Sequence, residues 1–215
     1  MQSARGGLPA IAVFCSGSGT NLQAILNATR AGRLRARVAL VLSDRADAYA
    51  LKRARRAGVD AQYVDPRAAT SRADYERRLI QRCEAHRVRL ICLAGFMRIL
   101  SPVFVRRYRH RILNIHPALL PAFPGAHAIR DALAWGAKVA GVTVHLVDER
   151  VDHGPILLQH AVAVSPKDTD ASLLRKLHAI EHQLYPQAIA LMLEGRVRVV
   201  GRTIRIVRPV ALAKR

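Results

Sequence analysis

The sequence has few cysteines, few acidic residues and no long apolar segment. Its three cysteines, Cys15, Cys83 and Cys92, follow no spacing pattern. This excludes a disulfide framework and a cysteine metal site, and it favours a reducing compartment. No apolar run approaches the roughly 20 residues of a membrane span, and the N-terminal MQSARGG lacks the apolar core of a secretory signal. We therefore expect a cytoplasmic protein with no membrane partner.

Acidic residues are outnumbered, since 15 Asp and Glu stand against 35 Lys and Arg and the formal net charge is +20. A basic surface can bind nucleic acid or attract small anionic substrates. The arginines are spread over nearly every segment instead of forming one block. We therefore predict no dedicated nucleic-acid partner. A nucleotide- or RNA-binding domain without catalytic activity is the alternative from a different class of function.

What the sequence does contain is an alternation of apolar strands and helices. The predicted strands lie at 11–16, 36–43, 61–64, 88–95 and 111–116, with helices at 20–30, 46–57 and 71–86 between them. Longer strands at 138–147 and 155–164 precede a long helix at 169–193. The pattern predicts a single α/β domain, Rossmann-like, with an open, mainly parallel twisted sheet flanked by helices. The longer strands and one long helix fall in its C-terminal half.

The length of 215 residues suits one domain with a sizeable core. We expect residues 1–8 to be a disordered N-terminal extension and residues 9–200 to form the domain. Residues 201–215 are expected to be a basic tail or an edge hairpin, because apolar and charged residues alternate around Gly201.

A glycine-rich loop, SGSGTN at 16–21, joins the first strand to the first helix. Such a loop can present backbone N–H groups to an anion at the helix N-terminus. It is not a dinucleotide fingerprint, because Leu22 stands where the third glycine would be, and it is not a P-loop, because no Gly-Lys-Ser/Thr follows. A phosphate site and a simple tight turn both remain open at this point.

Asn114 and His116 end a predicted strand and are followed by a proline-rich loop, PALLPAFPG. Residues two apart in a strand face the same side, and ligands bind beyond the carboxyl ends of parallel strands. An amide can hold a developing oxyanion, and an imidazole can exchange a proton near neutral pH. The alternative is a polar pair that closes the strand.

A catalytic histidine needs an orienting carboxylate. The loop DERVDHG at 148–154 offers Asp148, Glu149 and Asp152, and the alternative is a solvated acidic turn. No serine or cysteine has the setting of a nucleophile, since the G-x-S-x-G elbow is absent. Direct transfer is therefore favoured over a covalent enzyme intermediate.

The long helix contains HAIEH at 178–182, which matches the H-x-x-E-H pattern of some zinc proteases. Glu181 falls inside the apolar stripe of this helix, while His178 and His182 fall on its flank. A carboxylate on an apolar face needs a partner. We therefore predict no metal, and we expect Glu181 to contact a polar ligand or an arginine.

Several motifs together carry a resemblance over nearly the whole chain to about Gly195. In order they are SGSGTNLQAI, SDRADAYALKRARRAG, LAGFMRILSP, LNIHPALLP, GVTVHLVDERVDHGPILLQ and EHQLYP. In these segments the chain resembles the phosphoribosylglycinamide formyltransferase family, the folate-dependent enzymes of purine synthesis. It departs from many relatives at Ser18, Ala122 and His153.

The resemblance implies two substrates, 5-phosphoribosylglycinamide and 10-formyltetrahydrofolate, with no metal. It implies a catalytic trio of Asn114, His116 and Asp152. It also implies a ribonucleotide site formed by Gly19, Thr20, Asn21 and Glu181, and a folate site formed by Met97, Arg98, Ile99, Leu100 and Asn114, with Arg72 at its periphery.

The implied mechanism is direct attack of the glycinamide amine on the formyl carbon. Asn114 and a protonated His116 would hold the oxyanion of the tetrahedral intermediate, and Asp152 would favour the imidazolium. Two related families are alternatives, the methionyl-tRNA formyltransferases and the formyltetrahydrofolate hydrolases. Each is expected to carry a further domain that this sequence does not show. The expected assembly is a monomer or a homodimer.

Overall fold

The computed structural model describes residues 7–207, which form nine strands and six helices. The strands are β1 (Ala10–Cys15), β2 (Arg37–Ser43), β3 (Asp60–Tyr63), β4 (Leu90–Leu93), β5 (Ile112–His116), β6 (Val139–Leu146), β7 (Ile156–Ala163), β8 (Val197–Val200) and β9 (Thr203–Ile206). The helices are α1 (Thr20–Arg30), α2 (Tyr49–Arg56), α3 (Arg72–Ala85), α4 (Pro102–Arg107), α5 (Ala128–Ala134) and α6 (Asp170–Leu193).

Seven strands form one sheet in the order β3-β2-β1-β4-β5-β6-β7. The pairings from β3 to β5 are parallel, and β6 and β7 are added antiparallel. This is the predicted fold class: an α/β domain with a mostly parallel sheet flanked by helices. The two long strands of the C-terminal half supply its antiparallel edge.

Alternate residues of the central strands enter two separate cores. In β1, Ile11 and Val13 pack with residues of α1, α2 and α6, whereas Ala12 and Phe14 pack with residues of α3 and α4. Both faces of the sheet are therefore buried, which explains why β1 and β4 are continuous apolar runs. No helix among residues 7–207 is both long and apolar enough to cross a membrane.

Two short helices, α4 and α5, were not predicted from the sequence. Helix α4 has six residues and α5 has seven, so neither is long enough to show a clear hydrophobic period. Helix α4 nevertheless has a local start signal, because Ser101 caps it and Pro102 occupies its first turn. Helix α2, which was predicted at 46–57, begins later than predicted, at Tyr49.

Strands β8 and β9 pair antiparallel with each other in a sheet of their own. They are not added to the edge of the main sheet. Most of the predicted N-terminal extension, residues 1–6, and the end of the predicted tail, residues 208–215, lie outside the described residues.

Candidate active site

One cavity of about 490 Å³ collects most of the predicted site residues. It lies beyond the carboxyl ends of the parallel strands β4 and β5 and against α6, the position that this topology favours for a ligand. The predicted residues that line it are Asn21, Met97, Arg98, Ile99, Leu100, Asn114, His116, Asp152 and Glu181. Gly19, Thr20 and Arg72 are not among the lining residues.

Asn114, His116 and Asp152 form a connected polar group at the end of β5. The Nδ2 atom of Asn114 donates to Asp152 Oδ1 at 3.1 Å. His116 Nδ1 lies 3.4 Å from Asp152 Oδ2, and His116 Nε2 lies 2.8 Å from the carbonyl oxygen of Phe123. Both ring nitrogens of His116 therefore face an oxygen that can accept a hydrogen bond.

Asp152 is held in a strained backbone conformation by several donors. Its φ is +49°, in the left-handed region that non-glycine residues avoid. Gly125 N–H donates to its Oδ2 at 2.8 Å. Burial opposes ionisation of Asp152 and is the largest influence. Donors around the carboxylate, Gly125 N–H among them, outweigh it and hold the pKa of Asp152 below its ordinary value. The carboxylate is therefore ionised at neutral pH.

His145 belongs to this group, although it was not predicted from the sequence. It is 2% exposed, and it lies opposite Asn114 in the β5–β6 pairing. Its Nδ1 lies 3.0 Å from the carbonyl oxygen of Leu146, which can only accept, so Nδ1 carries the hydrogen. The free lone pair of Nε2 then accepts from Asn114 Nδ2 at 3.1 Å. Only the register of the antiparallel pair could have revealed this neighbour.

The proline-rich loop after β5 is fixed by polar side chains of β6 and β7. Thr143 Oγ1 donates to the carbonyl of Ala118 at 2.6 Å and accepts from Leu120 N–H at 3.1 Å. Gln159 donates to the carbonyl of Leu120 at 2.9 Å. The loop then returns to the site and supplies the Phe123 carbonyl and the Gly125 amide. It therefore supports both His116 and Asp152.

Glu181 is buried at the side of the cavity, where it accepts from Asn21 Nδ2 at 2.7 Å. Its partner is thus an amide and not an arginine. Burial is the main cause that raises the pKa of Glu181, while Asn21, His178 and His116 act in the opposite direction. Four residues later, Tyr185 donates to the carbonyls of Leu93 and Leu113, so α6 is anchored to β4 and β5.

The segment Met97–Leu100 forms another wall of the cavity. Met97 and Ile99 are 69% and 66% exposed, which is unusual for such large apolar side chains. Met97 N–H donates to Ser16 Oγ at 2.9 Å. Arg72 Nη2 donates to the carbonyl of Ile99 at 2.7 Å and Arg72 Nε to Glu76 at 3.3 Å. Arg72 therefore supports this segment from outside the cavity.

The loop 148–154 connects β6 to β7 and carries Asp152. Residues of α4 and of the β8–β9 hairpin hold it in place. Arg106 of α4 pairs with Glu149 at 2.8 Å. Arg202, at the turn of the β8–β9 hairpin, donates to the carbonyl of His153 at 2.7 Å. Asp148 Oδ2 lies 2.8 Å from His153 Nδ1. Of the three acidic candidates in this loop, Asp152 alone contacts His116.

No group of three or more His, Cys, Asp or Glu residues within 7–207 is arranged to hold a metal ion. The rings of His178 and His182 stack at 5.8 Å, and Glu181 turns to Asn21. All three cysteines are buried and free. Burial raises the pKa of the Cys15 thiol and that of Cys83 to about 12, so neither supplies a thiolate near neutral pH.

Residues 10–189 match the family model described as formyl transferase. This match covers most of the chain, so the chain is a member of the formyl transferase family. Its relatives of similar length carry a narrower name. The phosphoribosylglycinamide formyltransferase of Escherichia coli (strain K12) is 42% identical over 188 residues, which cover 87% of this chain and 89% of that protein.

The solved structures agree with this assignment. The crystal structure of glycinamide ribonucleotide transformylase 1 from Symbiobacterium toebii has 53% sequence identity and a TM-score of 0.93, and the match covers 97% of this chain and 99% of that chain. The trifunctional purine biosynthetic protein adenosine-3 of Drosophila melanogaster is 46% identical over 187 residues, and this match spans only 14% of that longer protein. The resemblance drawn from the motifs is thus confirmed.

Proposed function

We propose that the chain transfers the formyl group of 10-formyltetrahydrofolate to the amine of 5-phosphoribosylglycinamide, a step of de novo purine (IMP) synthesis. The observation that supports this most strongly is the arrangement of polar and apolar residues around one cavity. The Asn21–Glu181 pair lies on one side, the exposed Met97–Ile99 segment on another, and Asn114, His116 and Asp152 are held together at the strand end. Both substrates can therefore bind next to Asn114, His116 and Asp152.

The ribonucleotide binds along α1 and α6. Its phosphate takes the free amides at Gly19, Thr20 and Asn21, and another polar group of the same substrate donates to Glu181. The side chain of Asn21 supports this assignment, because its Oδ1 is buried without a hydrogen-bond partner among the described residues. A ligand donor would satisfy this oxygen.

The folate binds against Met97, Arg98, Ile99 and Leu100, close to Asn114. The exposed side chains of Met97 and Ile99 supply an apolar surface for a flat ring system. Arg72 acts through the backbone of Ile99, so it positions the folate site instead of lining it.

The amine attacks the formyl carbon, and the resulting oxyanion is stabilised by the His116 imidazolium and the Asn114 amide. Both hydrogens of Asn114 Nδ2 already have acceptors, in Asp152 and His145. Both ring nitrogens of His116 likewise face acceptors, in Asp152 and Phe123. Holding the oxyanion therefore requires that the amide and the imidazole each give up one of these contacts. The C–N bond to the folate nitrogen then breaks, and the proton lost by the amine reaches that nitrogen through His116 or a water molecule.

The test is to mix the protein with 10-formyltetrahydrofolate and 5-phosphoribosylglycinamide and follow both the deformylated folate and the formylated ribonucleotide. Release of folate without the ribonucleotide would indicate a hydrolase, and formylation of methionyl-tRNA would indicate the tRNA-directed relative. His116→Ala and Asp152→Asn should abolish transfer and retain the circular dichroism of the fold. An RNA-binding domain would tolerate His116→Ala and bind RNA in a salt-sensitive way.

We further propose that the chain acts in the cytoplasm as a monomer or homodimer without a nucleic-acid partner. Sedimentation of the purified chain with and without RNA tests this assembly. A stable higher oligomer, or co-sedimentation with RNA at physiological salt, would contradict it.

A further inference from the structure

Arg53 joins the glycine loop to helix α2, and the proposed reaction gives it no role. Its Nε donates to the carbonyl of Ser18 at 2.8 Å. Its Nη1 donates to Gln23 Oε1 of α1 at 3.1 Å. The guanidinium also lies over the ring of Tyr49, with its central carbon 4.9 Å from the ring centre. One planar fork thus connects the loop, α1 and α2.

The contact to Ser18 is one of three hydrogen bonds that successive carbonyls of the glycine loop accept. Ala50 N–H donates to the carbonyl of Gly17 at 3.1 Å, and Gln23 N–H donates to that of Gly19 at 2.9 Å. The amides of Gly17, Ser18, Gly19 and Thr20 have no acceptor within residues 7–207. A chain whose carbonyls are all engaged on one side leaves its N–H groups to an anion on the other.

The backbone of the loop can adopt this shape only because of Gly19. Its φ is +72°, and a Cβ at this position would lie 2.7 Å from Cβ of Ala50. Helix α2 therefore approaches the loop as closely as its backbone permits, which brings Arg53 within reach of Ser18. The buried, unpartnered Oδ1 of Asn21 independently indicates a ligand beside the same turn.

We infer that Arg53 is a positioning residue for the phosphate of the ribonucleotide. It acts by fixing the Ser18 carbonyl and Gln23, so that the loop amides stay aligned toward the phosphate oxygens. This inference rests on the proposed function, because that function supplies the phosphate-bearing substrate.

Two other cations of α2 allow positioning to be separated from simple attraction. Lys52 and Arg56 also lie over Tyr49, at 5.9 and 5.8 Å from the ring centre. Arg56 donates to the Tyr49 hydroxyl at 3.0 Å, and neither residue makes a hydrogen bond to the loop among the described contacts. Arg56→Met thus removes the same charge as Arg53→Met, from the same helix, without touching the glycine loop.

The experiment compares Arg53→Met, Arg53→Lys and Arg56→Met with the unchanged chain on two acceptors, 5-phosphoribosylglycinamide and its dephosphorylated riboside. Arg53→Met should raise KM for the phosphorylated acceptor about tenfold, with kcat changed less than about twofold and kcat/KM for the riboside unaltered. Arg53→Lys should recover little of this loss, because an ammonium cannot bridge two acceptors as a fork does. Arg56→Met should behave like the unchanged chain.

Equal losses on both acceptors would show a general structural role and overturn the inference. So would full activity of Arg53→Lys combined with a loss in Arg56→Met, since that result indicates charge alone. A second measurement, the thermal stabilisation of the chain by ribose 5-phosphate, does not depend on transfer. If the unchanged chain transfers no formyl group but its stabilisation by ribose 5-phosphate is lost in Arg53→Met, the proposed function fails, while the role of Arg53 in positioning the loop for a sugar phosphate stands. If ribose 5-phosphate stabilises neither protein, or both equally, the inference fails.

Discussion

At the scale of single residues, the site is a set of hydrogen bonds in which each group fixes the state of the next. Leu146 fixes the tautomer of His145, and His145 with Asp152 fixes the orientation of the Asn114 amide. Asp152 and Phe123 in turn surround His116 with acceptors. A change at one of these positions should therefore be felt at the reacting atoms even where it touches no substrate.

Replacing His145 with leucine should lower kcat about tenfold to a hundredfold, because the buried Asn114 amide loses an acceptor and can turn away. His145→Gln is the matched variant, since its Oε1 can take the place of Nε2, and it should recover a large part of the rate. Steady-state kinetics of both variants test this. If the glutamine variant were as slow as the leucine variant, His145 would have to exchange protons itself.

Replacing Glu181 with glutamine should stabilise the fold and impair the reaction. The folded chain binds the Glu181 proton more tightly than the unfolded chain does, because burial raises its pKa above the ordinary 4.5. The cost of the buried charge is thus absent below about pH 4.5 and complete above the raised pKa. At pH 7 we expect Glu181→Gln to raise the free energy of unfolding by about 1 kcal/mol, while kcat/KM for the ribonucleotide falls at least about tenfold.

Urea unfolding of both proteins from pH 4 to pH 8 checks the stability half of this prediction. The difference between them should grow as the pH rises and vanish at the acid end. A difference that is constant over this range would show that the charge of Glu181 is not its cause.

At the scale of elements, the site depends on how loops are fastened to strands and helices. The 148–154 loop is held by Arg106 of α4, by Arg202 of the hairpin and by close packing at Gly154. The proline-rich loop is held by Thr143 and Gln159. Both loops have no regular secondary structure, and these contacts hold them against the rest of the domain.

Gly154→Ala should displace the loop that carries Asp152. A Cβ at this position would lie 1.8 Å from the carbonyl oxygen of Leu146, so backbone must move. We expect a loss of about 3 kcal/mol in the free energy of unfolding and a loss of most of the activity. Gly58→Ala is the control, because φ is +71° there but a Cβ would meet nothing within 4 Å.

The control variant should lose about 1 kcal/mol, from backbone strain alone, and keep its kcat. Denaturant unfolding and initial rates measure both quantities. Full activity in Gly154→Ala would show that the position of the loop is less restricted than its packing indicates.

At the scale of the whole molecule, the sequence carries a formal net charge of +20, and both substrates of the proposed reaction are anionic. A field of one sign raises the rate of encounter with such ligands, and salt screens it. We expect kcat/KM for 5-phosphoribosylglycinamide to fall about tenfold between 50 and 500 mM NaCl, with kcat changed less than about twofold.

Initial rates at fixed pH over this range of salt check the expectation. An uncharged solute at equal osmolality is the control, and it should have no comparable effect. If kcat fell in parallel with kcat/KM, salt would be acting on the structure of the site and not on capture of the substrate.

The sequence by itself determined the alternation of strands and helices, because burial on both faces of a parallel sheet demands continuous apolar runs. It also determined the shared face of Asn114 and His116, since strand geometry places residues two apart on the same side. Tertiary structure decided the rest of the site. The β5–β6 register brought His145 to Asn114, and the return of the proline-rich loop brought the Phe123 carbonyl to His116. Arg72 was placed behind the Met97–Leu100 segment and outside the cavity. These contacts join residues far apart in the chain, and no local pattern encodes which of many polar side chains will meet across a fold.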